Sequence, residues 1–328
     1  MDFVSADSLP WLEQPQQRLR DALRAQRLPH SSLFLSTPGL GAEFLAGWLA
    51  ALALCESTAG RPCGQCSSCS LLRSDSHPDL HIVRLEEDAK QIKVDQVREL
   101  IDSLAFTSYR GGYKVGIIEG AENLNANGAN AFLKTLEEPS ARTLLVMIAR
   151  PAHRLPATIA SRCLRLALRP PPRQEAIEWL QAQGSSPAAD WHAALALAAG
   201  APLRALELGT AAVAVIAKKM QKDLRDLAAG GVDVTLLAEE WVNSDLALRL
   251  AWLENYITGR VHSHLGLGPS QQTAERVRLP GPLLKPKMRA LFGLLDGARE
   301  LRRLATTSIN QQLALEALLL RGRAALGA

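Results

Sequence analysis

A parallel α/β sheet followed by an all-helical region is the fold this sequence predicts, on three observations. Between residues 31 and 170, short apolar runs of strand length alternate with segments of helical periodicity. The runs are nearly continuous rather than alternating, as strands covered on both faces require. Arg169-Pro170-Pro171-Pro172-Arg173 then stops the pattern, because three prolines exclude both helix and ladder, and every later pattern is helical.

Each element follows from its residues. Positions 32–35 (SLFL) read as a buried strand that feeds the turn Thr37-Pro38-Gly39-Leu40-Gly41. Ala42–Leu54 reads as a helix. Leu80, Ile82 and Val83 suggest a second strand, and Val94, Val97, Ile101 and Leu104 repeat at helical spacing. Lys114–Glu119 (KVGIIE) is a third strand. Within 125–138, Ala129, Phe132, Leu133 and Leu136 fall at i, i+3, i+4 and i+7, and Pro139 ends that helix. Thr143–Ala149 (TLLVMIA) supplies a further buried strand, and 164–168 (LRLAL) reads as a last strand. Past the prolines, Ile177 and Leu180 mark one helix and Trp191, Leu195 and Leu197 another. Leu246, Leu248, Leu250 and Leu253 read as core-facing helix residues. A polar stretch rich in Gly and Pro, 266–282, reads as a surface loop.

Apolar residues make up 47% of the 328 and charged residues 21%, which excludes a disordered or collagen-like chain. The 37 basic and 33 acidic residues leave a net charge of +4, too little for a dedicated nucleic-acid polycation. Asp2 and Asp7 stand where a secretory signal needs positive charge. The longest uncharged apolar run, 44–55, is too short to span a bilayer and suits a buried helix. A cytoplasmic protein with no membrane association is therefore expected, with its thiols reduced.

Four segments carry chemistry. Residues 36–43 (STPGLGAE) occupy the strand-to-helix position of a phosphate loop, whose working form is G-x-x-x-x-G-K-[ST]. Gly41 survives, with Gly39 two residues before it in the loop, but Ser36 stands in the first glycine position. Ala42 replaces the lysine that reaches the phosphates, and Glu43 replaces the hydroxyl that holds Mg²⁺, adding negative charge beside an anion. The strand ending Glu119-Gly120 lies where an NTPase holds Mg²⁺ and its base, and a glycine cannot polarise water. No bound ATP and no intrinsic ATPase activity are expected. Cys55-x7-Cys63-x2-Cys66-x2-Cys69 offers four thiolates at metal spacing. Four sulfurs close a tetrahedral site with no position left for water, so a structural Zn²⁺ is expected; iron–sulfur and unligated thiols are the alternatives. His77 could replace Cys55 as ligand but reads more simply as a loop residue before Pro78. Ser161-Arg162-Cys163 precedes the last strand, and by itself reads as a surface arginine beside a small core cysteine.

Asn130-Ala131-Phe132-Leu133-Lys134-Thr135-Leu136-Glu137-Glu138-Pro139 resembles the N-A-L-L-K-T-L-E-E-P helix of bacterial clamp-loader subunits. Ser161-Arg162-Cys163 is similar to their S-R-C motif. Arg27-Leu28-Pro29-His30, the four-cysteine insertion and the last helix, with Asn310, Leu313, Leu315, Glu316 and Leu318–Leu320, fit the same family, so the resemblance spans most of the chain. The resemblance implies an AAA+-like module over 1–168 carrying the insertion 55–69, a small helical lid over 169–209 and a helical collar over 210–328. It also implies motor (gamma/tau) and delta subunits as partners, with the sliding clamp and primer-template DNA met indirectly. In that family Arg162 is an arginine finger acting on a neighbour's ATP site, with Ser161 and Cys163 shaping its turn, and the chain is an accessory subunit of a DNA-directed DNA polymerase holoenzyme. Ala149-Arg150 falls where motor subunits sense nucleotide with a small polar residue, consistent with lost sensing.

Two other functions compete. An ATP-hydrolysing gamma/tau-type subunit would need the lysine that Ala42 replaces. A zinc-dependent DNA-binding repair protein would need a basic, aromatic knuckle, and 55–69 holds one arginine, Arg61, and no aromatic residue. Arg110, in Tyr109-Arg110-Gly111-Gly112-Tyr113, could touch DNA or a partner, and a solvated loop is the plainer reading.

Overall fold

The computed structural model describes residues 8–58, 60–86, 89, 91–150, 155–184, 188–264, 286–304 and 309–326. It divides into two units, Met1–Pro172 and Arg173–Ala328. The expected loop at 266–282 lies outside the described residues.

The first unit is built on five parallel strands: β1 (Ser31–Leu35), β2 (Leu80–Val83), β3 (Lys114–Glu119), β4 (Thr143–Ala149) and β5 (Leu164–Ala167), in the order β2-β3-β4-β1-β5. This is the AAA+-like arrangement expected. Leu33 of β1 sits opposite Met147 of β4 on one side and Arg165 of β5 on the other. Every residue of β4 is buried, as the unbroken apolar run demands. β5 is the last strand expected and lies at the edge of the sheet. Its residues are exposed or half-exposed, with Leu164 52% exposed, because it is an edge strand and only one side is paired.

Helices cover both faces of the sheet. They are α1 (Glu13–Arg24), α2 (Ala42–Leu54), α3 (Ser67–Arg73), α4 (Val94–Ala105), α5 (Ala126–Glu137) and the single turn α6 (Ala157–Ala160). In α2, eleven of thirteen residues are buried, so this helix is apolar all round and lies inside the unit. Asn125 caps α5, accepting from the Gly128 N–H at 2.7 Å. Glu138 ends that helix, since the residue before Pro139 cannot stay helical. At Gly116 of β3, helix α4 packs tightly on the sheet. A methyl group there would meet Leu104 and Leu145 at 3.0 Å and Leu100 at 3.1 Å. Helix α3 was not legible in the sequence; it is short, and Cys66 Sγ caps it by accepting from the Cys69 N–H.

The second unit is helical throughout its described residues: α7 (Arg173–Gln183), α8 (Ala188–Leu197), α9 (Pro202–Leu208), α10 (Thr210–Ala228), α11 (Val234–Asn243), α12 (Leu246–His264), α13 (Pro286–Leu304) and α14 (Gln311–Leu326). One hydrophobic core runs from Ala176 to Ala325 and contains Leu246, Leu248, Leu250 and Leu253, as their spacing predicts. Its polar anchor is Asp223, which accepts from Trp241 Nε1 at 2.9 Å and pairs with the buried Arg249 at 3.6 Å. Burying that guanidinium is tolerable because a carboxylate and an indole face meet it.

Candidate functional site

The two ends of the parallel sheet carry different chemistry. At the carboxyl end, where α/β folds commonly bind ligands, a cleft of about 320 Å³ lies among Ser36–Pro38, Glu43, Arg84, Glu119, Glu122 and Arg150. Gly41 takes φ +84° to turn the chain from β1 into α2, and Gly39 takes +83°, so the loop keeps the backbone of a phosphate cradle. Trp11 Nε1 braces it by donating to Leu40 O at 2.9 Å. The charges inside do not favour an anion. Arg84 is bound to Glu119 at 2.8 Å, the Arg150 N–H donates to Glu122 Oε2 at 3.1 Å, and Glu43 adds a third carboxylate against two arginines.

Helix α2 carries the chain from that loop to the other end of the sheet, and Cys55 is its C-cap. There the four cysteine sulfurs lie within 4.8 Å of one another. Cys55 and Cys66 Sγ are 3.9 Å apart and Cys63 and Cys69 Sγ 4.0 Å. Sulfurs about 2.3 Å from a tetrahedral metal would stand about 3.8 Å apart, so the cluster has the spacing to hold a metal ion. Three backbone N–H groups point at the sulfurs: Cys63 N to Cys55, Cys66 N to Cys63 and Cys69 N to Cys66, at 3.3–3.4 Å. Gly64, at φ +70°, makes that turn. Amides of Gln65 and Cys66 pull the Cys63 thiol down to about 6, whereas burial pushes Cys55 and Cys69 up.

His77 is not part of that cluster, and it is buried rather than a plain loop residue. Its Nδ1 accepts from the Asp79 N–H at 3.1 Å, which leaves Nε2–H to donate to Ser68 Oγ at 3.1 Å. Ser68 in turn donates to Glu56 Oε1 at 2.9 Å, and Arg110 Nε donates to the same oxygen at 2.8 Å. Arg110 is therefore tied to the cysteine module and not a free loop residue. Asp79, 2% exposed, accepts from Ser108 Oγ and from the N–H groups of Tyr109 and Arg110, which fixes the turn that enters β3. Sequence reasoning missed this array because the side chains that join it, His77 to Ser68 and Arg110 to Glu56, pair across 9 and 54 residues.

Arg162 sits just ahead of β5, also at the amino end of the sheet. Its carbonyl accepts from Ser31 Oγ, the first residue of β1, at 2.8 Å. The loop at Gly39 and Gly41 leaves the other end of β1, roughly 13 Å away at 3.3 Å per residue. Arg162 Nε donates to Glu137 Oε1 at 2.6 Å, Nη2 reaches the same oxygen, and Nη1 donates to Thr158 O at 2.9 Å and Ser161 Oγ at 3.3 Å. Cys163 Sγ donates to Ile159 O at 3.2 Å, and burial raises its thiol to about 11, so it stays a neutral packing group. His30 Nε2 lies 2.9 Å from Leu136 O, joining the start of β1 to the end of α5. Residues 30–31, 136–137 and 158–163 thus converge at one corner.

A family model described as DNA polymerase III, delta subunit, matches residues 11–172. A Pseudomonas aeruginosa protein named DNA polymerase III subunit delta' is 35% identical over 323 residues, covering 96% of this chain and 97% of that protein. An Escherichia coli K12 protein of the same name is 33% identical over 321 residues, covering 95% and 94%. The E. coli protein named DNA polymerase III subunit tau is 35% identical over 153 residues, covering 46% of this chain and 23% of its own length.

Proposed function

This chain belongs to the family of DNA polymerase III delta' subunits, and on that premise we propose that it is a non-catalytic clamp-loader subunit that completes a neighbour's ATP site with Arg162. The observation that carries the reading is the division of the sheet. Arg162 lies at the end opposite the chain's own phosphate-type loop, so its guanidinium has no reach to a nucleotide bound there. An arginine so placed, rooted by Ser31 and the β1–β5 pairing, serves a site on another subunit if it serves one at all. A guanidinium that neutralises charge developing on a transferred γ-phosphate is worth about 10³–10⁵ in rate.

The chain's own cleft does not fit ATP. Ala42 offers no ammonium, Glu43 no hydroxyl for Mg²⁺, and Gly120 no base. Its two arginines already face carboxylates, Arg84 bonded to Glu119 at 2.8 Å and the Arg150 guanidinium 4.0 Å from Glu122. Cys55, Cys63, Cys66 and Cys69 fit Zn²⁺. When bound it supplies a structural crosslink between the end of α2 and the start of α3 and no open position for chemistry.

The proposed partners are motor (gamma/tau) and delta subunits in the cytoplasm, with clamp and primed DNA engaged by the assembly. In the described residues no helix is long and apolar enough to cross a membrane. The lid (169–209) and collar (210–328) belong to the same proposal; they share one core here. Mixing the chain with purified motor and delta subunits tests the reading. A single complex on size exclusion that gains clamp-loading activity supports it, and a chain that elutes alone contradicts it.

A further inference from the structure

The arginine of Ser161-Arg162-Cys163 is not free to act as it stands. Four of its contacts are internal, and the edge formed by Nε and Nη2, which a guanidinium uses to grip an oxyanion with two parallel N–H groups, is spent on Glu137 Oε1. Nη1 is held by Thr158 O and Ser161 Oγ. The root and the tip are held differently. The root is fixed by part-buried bonds, Ser31 Oγ to the Arg162 carbonyl and Cys163 Sγ to Ile159 O, whereas the tip is 36% exposed and Glu137 50% exposed. A salt bridge at that exposure is weak and exchangeable.

We propose that Glu137 is a positioning residue that parks the Arg162 guanidinium against this chain's own α5, so that engaging a neighbour's phosphate is an exchange of carboxylate for phosphate. This rests on the reading of Arg162 as a group acting in trans. The exchange is chemically even-handed, since both ligands are oxyanions and the same two N–H groups serve each. A γ-phosphate with more charge and more oxygens wins once the neighbour closes on the corner, and Glu137 recovers the arginine when it leaves. Parking has a second effect. His30 joins Leu136, the residue before Glu137, to the start of β1, so the carboxylate is anchored on the same corner that roots the arginine. The latch therefore holds a long side chain on its own corner until the neighbour arrives.

The test uses the full complex of this chain with motor and delta subunits, clamp, primed DNA and Mg·ATP. Glu137→Gln keeps the shape and removes the charge. It should raise ATP turnover at saturating ATP by about two- to five-fold at the site that Arg162 faces, the range an exposed salt bridge represents. Glu137→Ala, at a half-exposed position, should give the same rise, and both variants should assemble and melt as wild type does. In an Arg162→Ala background, Glu137→Gln should change nothing, because its only route is through the arginine; a merely structural glutamate would act in both backgrounds. A fall in turnover on Glu137→Gln would overturn parking, as would no change while Arg162→Ala still slows hydrolysis. In both those cases the trans role of Arg162 survives. If Arg162→Ala leaves turnover unchanged, the trans role fails and the latch falls with it.

Discussion

At the residue scale, the cysteines and the lost phosphate ligands decide what this chain can bind. Protein purified without added metal should hold one Zn²⁺ per chain by elemental analysis. Cys66→Ser should lose most of it and lower the melting temperature, because that sulfur both ligates and caps α3. A brown iron chromophore, or no metal at all, would contradict the assignment. Calorimetric titration with Mg·ATP should be flat. Ala42→Lys alone should not restore tight binding, because Glu43 and the paired arginines at Glu119 and Glu122 stay in the cleft. The cysteines were legible in the sequence because three of them fall in two C-x-x-C steps and a metal site needs that spacing. Arg162 was legible only through the motif around it. Glu137, Ser31 and His30 were not, because their partners lie 25, 131 and 106 residues away and no local pattern encodes such pairings.

At the element scale, the strands were legible where both faces are buried. Thr143–Ala149 carries its whole environment in its composition. The edge strand β5 did not, since LRLAL reads the same whether or not a neighbour covers it. Helix α3 has too few residues for a period to show. Two changes probe how the elements hold the amino end of the sheet. Gly116→Val should destabilise the first unit by about 1–3 kcal/mol, because the added carbons overlap Leu100, Leu104 and Leu145 where α4 crosses the sheet. Denaturant unfolding checks it, and an unchanged midpoint would mean that α4 moves freely. Asp79→Ala should cost about 1–3 kcal/mol by orphaning the Tyr109 N–H and removing the acceptor that Ser108 Oγ and the Arg110 N–H share. It should also speed amide exchange at Tyr109 and Arg110, while Gly41 and the loop at the far end keep their protection.

At the scale of the whole molecule, a P-loop-type sheet has kept its frame while its two ends have diverged in use. The carboxyl end is a cleft with three carboxylates against two arginines, and the amino end carries the four-cysteine cluster and Arg162. The consequence is that the function of Arg162 should appear in a partner's chemistry and not in this chain's stability. Arg162 is bonded chiefly to an exposed carboxylate, so Arg162→Ala should fold and assemble normally. Arg162→Lys should rescue little, because a point charge cannot replace a planar fork. The most direct measurement is steady-state ATP hydrolysis by the reconstituted complex with clamp and primed DNA. The account predicts that Arg162→Ala complexes form at wild-type yield and lose the share of total turnover that belongs to the one motor site Arg162 faces if the sites fire independently, and more if they fire in order. A complex that forms normally, hydrolyses ATP and loads clamp at the wild-type rate would contradict it.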